Sequence, residues 1–278
     1  PLALPAIGMP LVISTGGLDL SVVAVMAICG AIAATLISEG YGLPATLALS
    51  LGAGLLCGLW NGLLVAVLGI QPIVATLILM VAGRGIAQLV TEGMIRTFSH
   101  DGFASLGSGK LLWLPTPVVI WLCAGILVTI VVRRSALGML IEAVGINRRA
   151  SMLAGVNARL LIVTVYMVSG LCAAMAGLIV TADIRGADAN NAGLFLELDA
   201  ILAVVVGGTS LLGGHFSLIA SLIGAMIIQA INTGILVAGF PPEFNLVIKA
   251  VIVLAILVLQ SPALQGAAML FSRAKGQP

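Results

Sequence analysis

Nine stretches of this chain stay apolar over lengths comparable to a bilayer crossing: 1–15, 19–38, 43–69, 71–91, 114–132, 159–181, 199–212, 216–238 and 243–260. Polar and charged residues gather between them. The alternating short strands of a membrane barrel are absent from the pattern. The fold predicted is therefore all-α and polytopic, a single transmembrane domain over 1–278. The seventh stretch is too short to cross alone. It is expected to be a half-helix or a buried segment, which only the inside of a helix bundle tolerates. The chain opens on Pro1 in the middle of a helical pattern, so the first stretch is expected to be a truncated span. One more span ahead of it, for a cytoplasmic N-terminus, would make ten.

Composition sharpens this. Hydrophobic residues make up 61% and charged residues 8%, with a mean hydropathy of +1.25; a soluble domain carries about 25% charged residues. The net charge of +2 decides nothing, but the placement of the twelve Lys and Arg does. Arg133, Arg134, Arg148, Arg149 and Arg159 border one loop, 133–159, and Arg273 and Lys275 lie in the tail. The positive-inside rule puts both on the cytoplasmic side. Counting spans from that loop agrees at both places if the seventh stretch counts as a crossing. Segments 92–113 and 182–198 are then external, mildly opposed by Arg96, Lys110 and Arg185. Cys29, Cys57, Cys123 and Cys172 fall inside apolar runs without metal-type spacing and read as small core residues. His100 and His215 are far apart and form no catalytic constellation. GSGK at 107–110 lacks the first glycine of a phosphate loop, where Ala104 stands, and its Ser or Thr, where Leu111 stands. No catalytic residue, metal or nucleic-acid partner is expected, and nothing supports an enzyme.

TGGLDLS, residues 15–21, interrupts the apolar pattern with Gly16, Gly17, Asp19 and Ser21. Glycines permit a helix break, and an acid at the next helix's start can cap exposed amides. Capping is the expectation here, ahead of direct ligation of a substrate. LDLSVVAVMAICG (18–30) aligns without gaps to LELDAILAVVVGG (196–208), so Glu197 and Asp199 become the counterparts of Asp19 and Ser21. The alternative register, matching the double glycines 16–17 and 207–208, is not preferred. Asn61 and Asn232 each precede a proline by about ten residues. The aligned spans run in opposite directions, which is the mark of an inverted repeat with broken helices. Gly54, Gly58 and Gly62 recur every four residues, a close-packing pattern.

The loop RRSALGMLIEAVGINRRASMLAGVNARL mixes its arginines with Leu140, Ile141, Val144, Met152 and Leu153. An amphipathic helix docking on a soluble partner, punctuated at Gly145 and Gly155, explains this better than a connector; a helix lying on anionic lipid is the rival. In the outer segment 181–199, Asp188, Asn190 and Asn191 suit sugar hydroxyls or a docking protein, with a solvated loop as the plain alternative.

GGLDLS, EAVGINRRASMLAGVN and ELDAILAVVVGGTSLLGG together resemble the permease subunits of bacterial ATP-binding-cassette importers for sugars, the ribose, arabinose, xylose and galactose group. IQPIVATLILMVAGRGIAQL, ADIRGADANNAG and NTGILVAGFPPE are most similar to the galactofuranose branch. The resemblance covers essentially the whole chain. It implies a permease of the bacterial inner membrane that moves a monosaccharide and binds no cofactor itself. ATP and Mg would sit on a separate cytoplasmic ATPase. The loop with Glu142, Ala143, Gly145, Asn147, Ala150, Ala154, Gly155 and Asn157 resembles the coupling helix that enters a cleft of that ATPase. A second permease, more in keeping with an unlike chain than an identical one, and a periplasmic sugar-binding protein complete the assembly in the lipid bilayer. Val23 stands where the family's GGxDLSVG has its final glycine, which puts close backbone approach there in question. Asn61, Gln71, Gln229 and Asn232, neutral amides in apolar spans, are candidates for the translocation path, with helix-to-helix hydrogen bonding as the rival role. The alternatives in function are a permease for branched-chain amino acids and an ion-coupled secondary transporter, which would need buried carboxylates such as Asp19.

Overall fold

The computed structural model describes residues 2–111, 113–239 and 242–260. The apolar stretches become helices because every backbone amide and carbonyl must find a partner where water is excluded. In order they are α1 (Pro5–Ser14), α2 (Val22–Ser38), α3 (Leu43–Ala66), α4 (Pro72–Val90), α6 (Thr116–Arg134), α9 (Ala158–Ile184), α10 (Leu196–Val206), α11 (Leu218–Val237) and α12 (Pro242–Gln260). Each of the nine stretches carries one. Between them lie α5 (Asp101–Ser108), α7 (Leu137–Ile146), α8 (Arg148–Leu153) and four two-residue strands, β1 (Arg96–Thr97), β2 (Lys110–Leu111), β3 (Leu114–Pro115) and β4 (Gly186–Ala187). The chain divides into two compact units, Pro1–Met226 and Ile227–Pro278. The second holds the end of α11 and all of α12.

Among the described residues, α3, α4, α6, α9 and residues 218–235 of α11 are long and apolar enough to cross a membrane. α1 and α10, with ten and eleven residues, reach only about 15 Å at 1.5 Å per residue. The expected bounds of the seventh stretch need correction: the helix is 196–206 rather than 199–212, because Gly207 and Gly208 (φ +80°) end it early.

α9, 27 residues long, is the axis of the first unit, and glycines fix how its neighbours run. A Cβ on Gly54, Gly58 or Gly62 of α3 would meet Ala174, the Tyr166 carbonyl or the Cα of Val163 in turn, so α3 runs antiparallel to α9. On α2, Met26 meets Gly177 and Gly30 meets Thr181, so α2 runs parallel to it. The bundle therefore has a basic end, with the N-terminus of α9 and the 133–159 loop, and an opposite end. At the opposite end residues 92–111 pack onto the bundle: β1 pairs antiparallel with β4, α5 packs on the last turn of α9 through Gly107 against the Asp183 backbone, and Phe98 meets Phe103 edge-on at 5.2 Å.

Candidate functional site

The break between α1 and α2 is a built polar node. α1 stops at Ser14 and Gly16 turns with φ +78°; the chain then continues without regular structure to Ser21. Asp19, 3% exposed, is its centre. Its Oδ1 accepts from the Ser21 hydroxyl at 2.6 Å and the Ser21 amide at 3.1 Å, and its Oδ2 accepts from the Ser169 hydroxyl of α9 at 2.7 Å. Asn61 Nδ2 of α3 donates to Ser21 Oγ at 2.8 Å. The Leu18 carbonyl accepts from Tyr166 at 3.3 Å and Thr76 of α4 at 3.4 Å. Three helices thus hold one non-helical segment of five residues through a buried network, in which Asn61 Oδ1 is left without a partner among the described residues.

Two sequence expectations are corrected here. Asp19 does not cap α2: the helix starts at Val22, and Asp19 closes a turn onto Ser21, the residue before it. Nor are Glu197 and Asp199 its structural equivalents. Both lie within the first turn of α10, buried, whereas Asp19 and Ser21 precede α2. Val23 is buried, and its Cγ1 lies 3.2 Å from where Gly193 would carry a Cβ; the small residue stands across the contact from Val23.

The basic end brings three distant segments to one point. Gly145, inside α7, abuts the Ser14 carbonyl, and a Cβ on it would lie 2.7 Å from the Gly214 amide. That amide donates to the same Ser14 carbonyl at 2.9 Å. One turn earlier, Glu142 Oε1 pairs with His215 Nδ1 at 2.9 Å and accepts from the Phe216 amide at 3.4 Å. α7 is therefore attached to the end of α1 and to the loop between α10 and α11 together. Gly145 was expected to punctuate the loop; the interruption falls instead at Asn147, whose Oδ1 caps α8 through Ala150 N at 3.0 Å. Asn157 caps α9 in the same way through Leu160 N at 3.1 Å. Gly155, φ +87°, does end α8. Arg148 Nη2 donates to the Ala66 carbonyl of α3 at 3.1 Å. Ala143, Ala150 and Ala154 are exposed, beside Met139, Ile146 and Leu153 at 72%, 77% and 90% exposure.

The opposite end carries a second polar cluster. Arg84 Nη1 of α4 donates to the Asn190 carbonyl at 2.8 Å, and Gln88 Nε2, one turn on, donates to Asn190 Oδ1 at 2.6 Å. Asp188 accepts from the Asn191 side chain at 2.8 Å and from the amides of Asn190 and Asn191. These bonds, the Asn191 side-chain amide first, and the nearby Arg84 hold its carboxyl below the usual value of 3.8.

Of the amides proposed for the path, Asn61 belongs to the Asp19 network and Gln71 lies just ahead of α4, exposed, beside a cavity of about 240 Å³ that also touches Gly16, Gly17 and Arg148. Gln229 and Asn232 lie three residues apart on α11, in the second unit. Sequence reasoning missed Ser169, Tyr166, Thr76, Arg84 and Gln88. Arg84 alone carried a usable signal, as an ionised residue inside an apolar span.

A family model described as "Branched-chain amino acid transport system / permease component" matches residues 1–257. The chain is 63% identical to the galactofuranose transporter permease protein of Escherichia coli K12, over 94% of this chain and 76% of that one. It is 44% identical to the fructose import permease protein of Bifidobacterium longum, over 92% and 73%, and 37% identical to the ribose import permease protein of E. coli K12, over 92% and 81%. No solved structure matches the chain.

Proposed function

Because the chain belongs to the branched-chain amino acid transport system permease family, we propose that it is the membrane-spanning permease subunit of an ATP-binding-cassette importer for a monosaccharide. One observation carries this: along nearly the whole chain it is similar to import permeases whose named cargoes, galactofuranose, fructose and ribose, are all monosaccharides. The family's description names branched-chain amino acids, but these relatives turn the reading towards sugars. Galactofuranose or a related hexose or pentose is the cargo.

In this reading the protein is a multi-pass component of the bacterial inner membrane, and ATP is hydrolysed on a separate cytoplasmic subunit. The exposed apolar residues of α7 and α8 are where that ATPase engages. The junction of Gly145, Ser14 and Gly214 supports a route from docking to movement: an element that shifts α7 shifts the end of α1 and the start of α11 with it. A second, unlike permease and a periplasmic binding protein complete the path. Purified binding protein screened against monosaccharides and amino acids, followed by uptake into proteoliposomes holding the whole complex, tests this. Retention of a monosaccharide and uptake that needs ATP are expected. Retention of an amino acid alone, or uptake driven by an ion gradient without ATP, would overturn it.

A further inference from the structure

α4 is one of the helices long and apolar enough to span a membrane, yet it carries Arg84 and Gln88 on one face, a single turn apart. A guanidinium and an amide turned towards hydrocarbon would be costly; intramembrane polar groups of this kind face a bundle interior or water. Both are directed at the loop before α10, where each bonds to Asn190. Glu197 follows in the first turn of α10, 7% exposed, and its Oε2 has no hydrogen-bond partner among the described residues. Arg84 lies near enough for its charge to act on both Asp188 and Glu197. A buried carboxylate oxygen without a donor is destabilising by more than an ordinary hydrogen bond returns. A hydroxyl donor brought to it would remove that penalty.

We propose that Arg84, Gln88, Asn190 and Glu197 form a hydroxyl-binding subsite for a neutral monosaccharide, at the mouth of the path opposite the basic loop. The chemistry is complementary. The guanidinium and the Gln88 amide supply donors for ring and hydroxyl oxygens, and Glu197 and the Asn190 side chain supply acceptors for hydroxyl protons. The cluster sets donors beside acceptors, so it suits an uncharged ligand rich in both. The inference rests on the sugar-importer reading above.

The test uses proteoliposomes holding this chain with its partner permease, ATPase and binding protein, and radiolabelled D-galactose, D-ribose and D-fructose. For the wild type, ATP-driven uptake of at least one sugar is expected; uptake of none would overturn the importer reading and this subsite with it. Arg84→Gln and Gln88→Ala are each expected to lower that uptake by roughly tenfold and to change the preference among the three sugars. Arg84→Lys, keeping charge but losing the fork, should restore only part of the loss. Wild-type rates and preference in Arg84→Gln and Gln88→Ala would overturn the subsite alone. So would an equal loss for all three sugars with a lowered unfolding temperature, which marks a structural role. Loss of binding-protein affinity for the complex, measured by surface immobilisation, would overturn it in favour of a docking surface.

Discussion

At the scale of single residues, Asp19 is held by hydroxyls and amides alone: Ser21 on one oxygen and Ser169 on the other. Removing the Ser169 donor leaves Oδ2 buried and unpaired. Ser169→Ala should therefore destabilise the protein by about 1–3 kcal/mol, read as a lower unfolding temperature in detergent. Asp19→Ala should cost more, since it strands both serines, and the double variant should be less destabilised than the sum of the singles. Additive losses would show that the two residues do not act through each other. The sequence made Asp19 conspicuous, as a carboxylate between glycines in an apolar chain. It gave no sign of Ser169, because serines are common in membrane helices and this partner lies 150 residues away. Asp188 behaves differently. Its carboxyl titrates below the ordinary 3.8 in the folded loop, so the order it confers is complete above that value and lost as pH falls through the lowered one. Amide exchange at Asn190 and Asn191 should stay slow relative to an Asp188→Asn variant at neutral pH, with the difference vanishing in strong acid.

Helix pairs obey a different logic, in which the absence of a side chain is the signal. Gly54, Gly58 and Gly62 repeat with helical period, and that pattern alone foretold a close-packed face. The structure supplies the partner, α9, and adds Gly170, where a Cβ would meet Gly58 Cα at 3.1 Å. Gly52 on the same helix has open space around the position of a Cβ. Gly58→Ala should then lower stability by about 1–3 kcal/mol, since the obstruction is backbone and cannot move aside. Gly52→Ala should leave stability unchanged or raise it slightly. Comparing the two unfolding temperatures separates packing from helix propensity on one element; equal effects would contradict the antiparallel contact. Helix positions were legible throughout because apolar runs of this length have few other solutions. Helix ends were less so. The split of the 133–159 loop at Asn147 depends on a side-chain cap, and a capping asparagine inside an otherwise amphipathic stretch does not stand out from its neighbours.

Across the whole first unit, α7 is the only helix of the 133–159 loop whose own residues reach both the end of α1 and the loop before α11, among the contacts of the described residues. The sequence marked Glu142 and Gly145 but neither Ser14 nor Gly214. Their meeting was not legible, because Ser14 and Gly214 are brought together by the path of nine intervening helices and share no local pattern. Size at Gly145 should control coupling rather than catalysis. A valine there has no room between the Ser14 carbonyl and the Gly214 amide, so α7 must lift away from at least one of them. The exposed face of α7 and α8 is untouched by this change, and the ATPase should still bind. ATP hydrolysis by the assembled complex should then continue at close to its wild-type rate while sugar uptake falls by roughly tenfold or more. Gly145→Ala, with the same obstruction but less bulk, should fall between the two. If Gly145→Val abolishes hydrolysis and ATPase binding together with transport, the residue belongs to the docking surface and not to the link between docking and the broken helix.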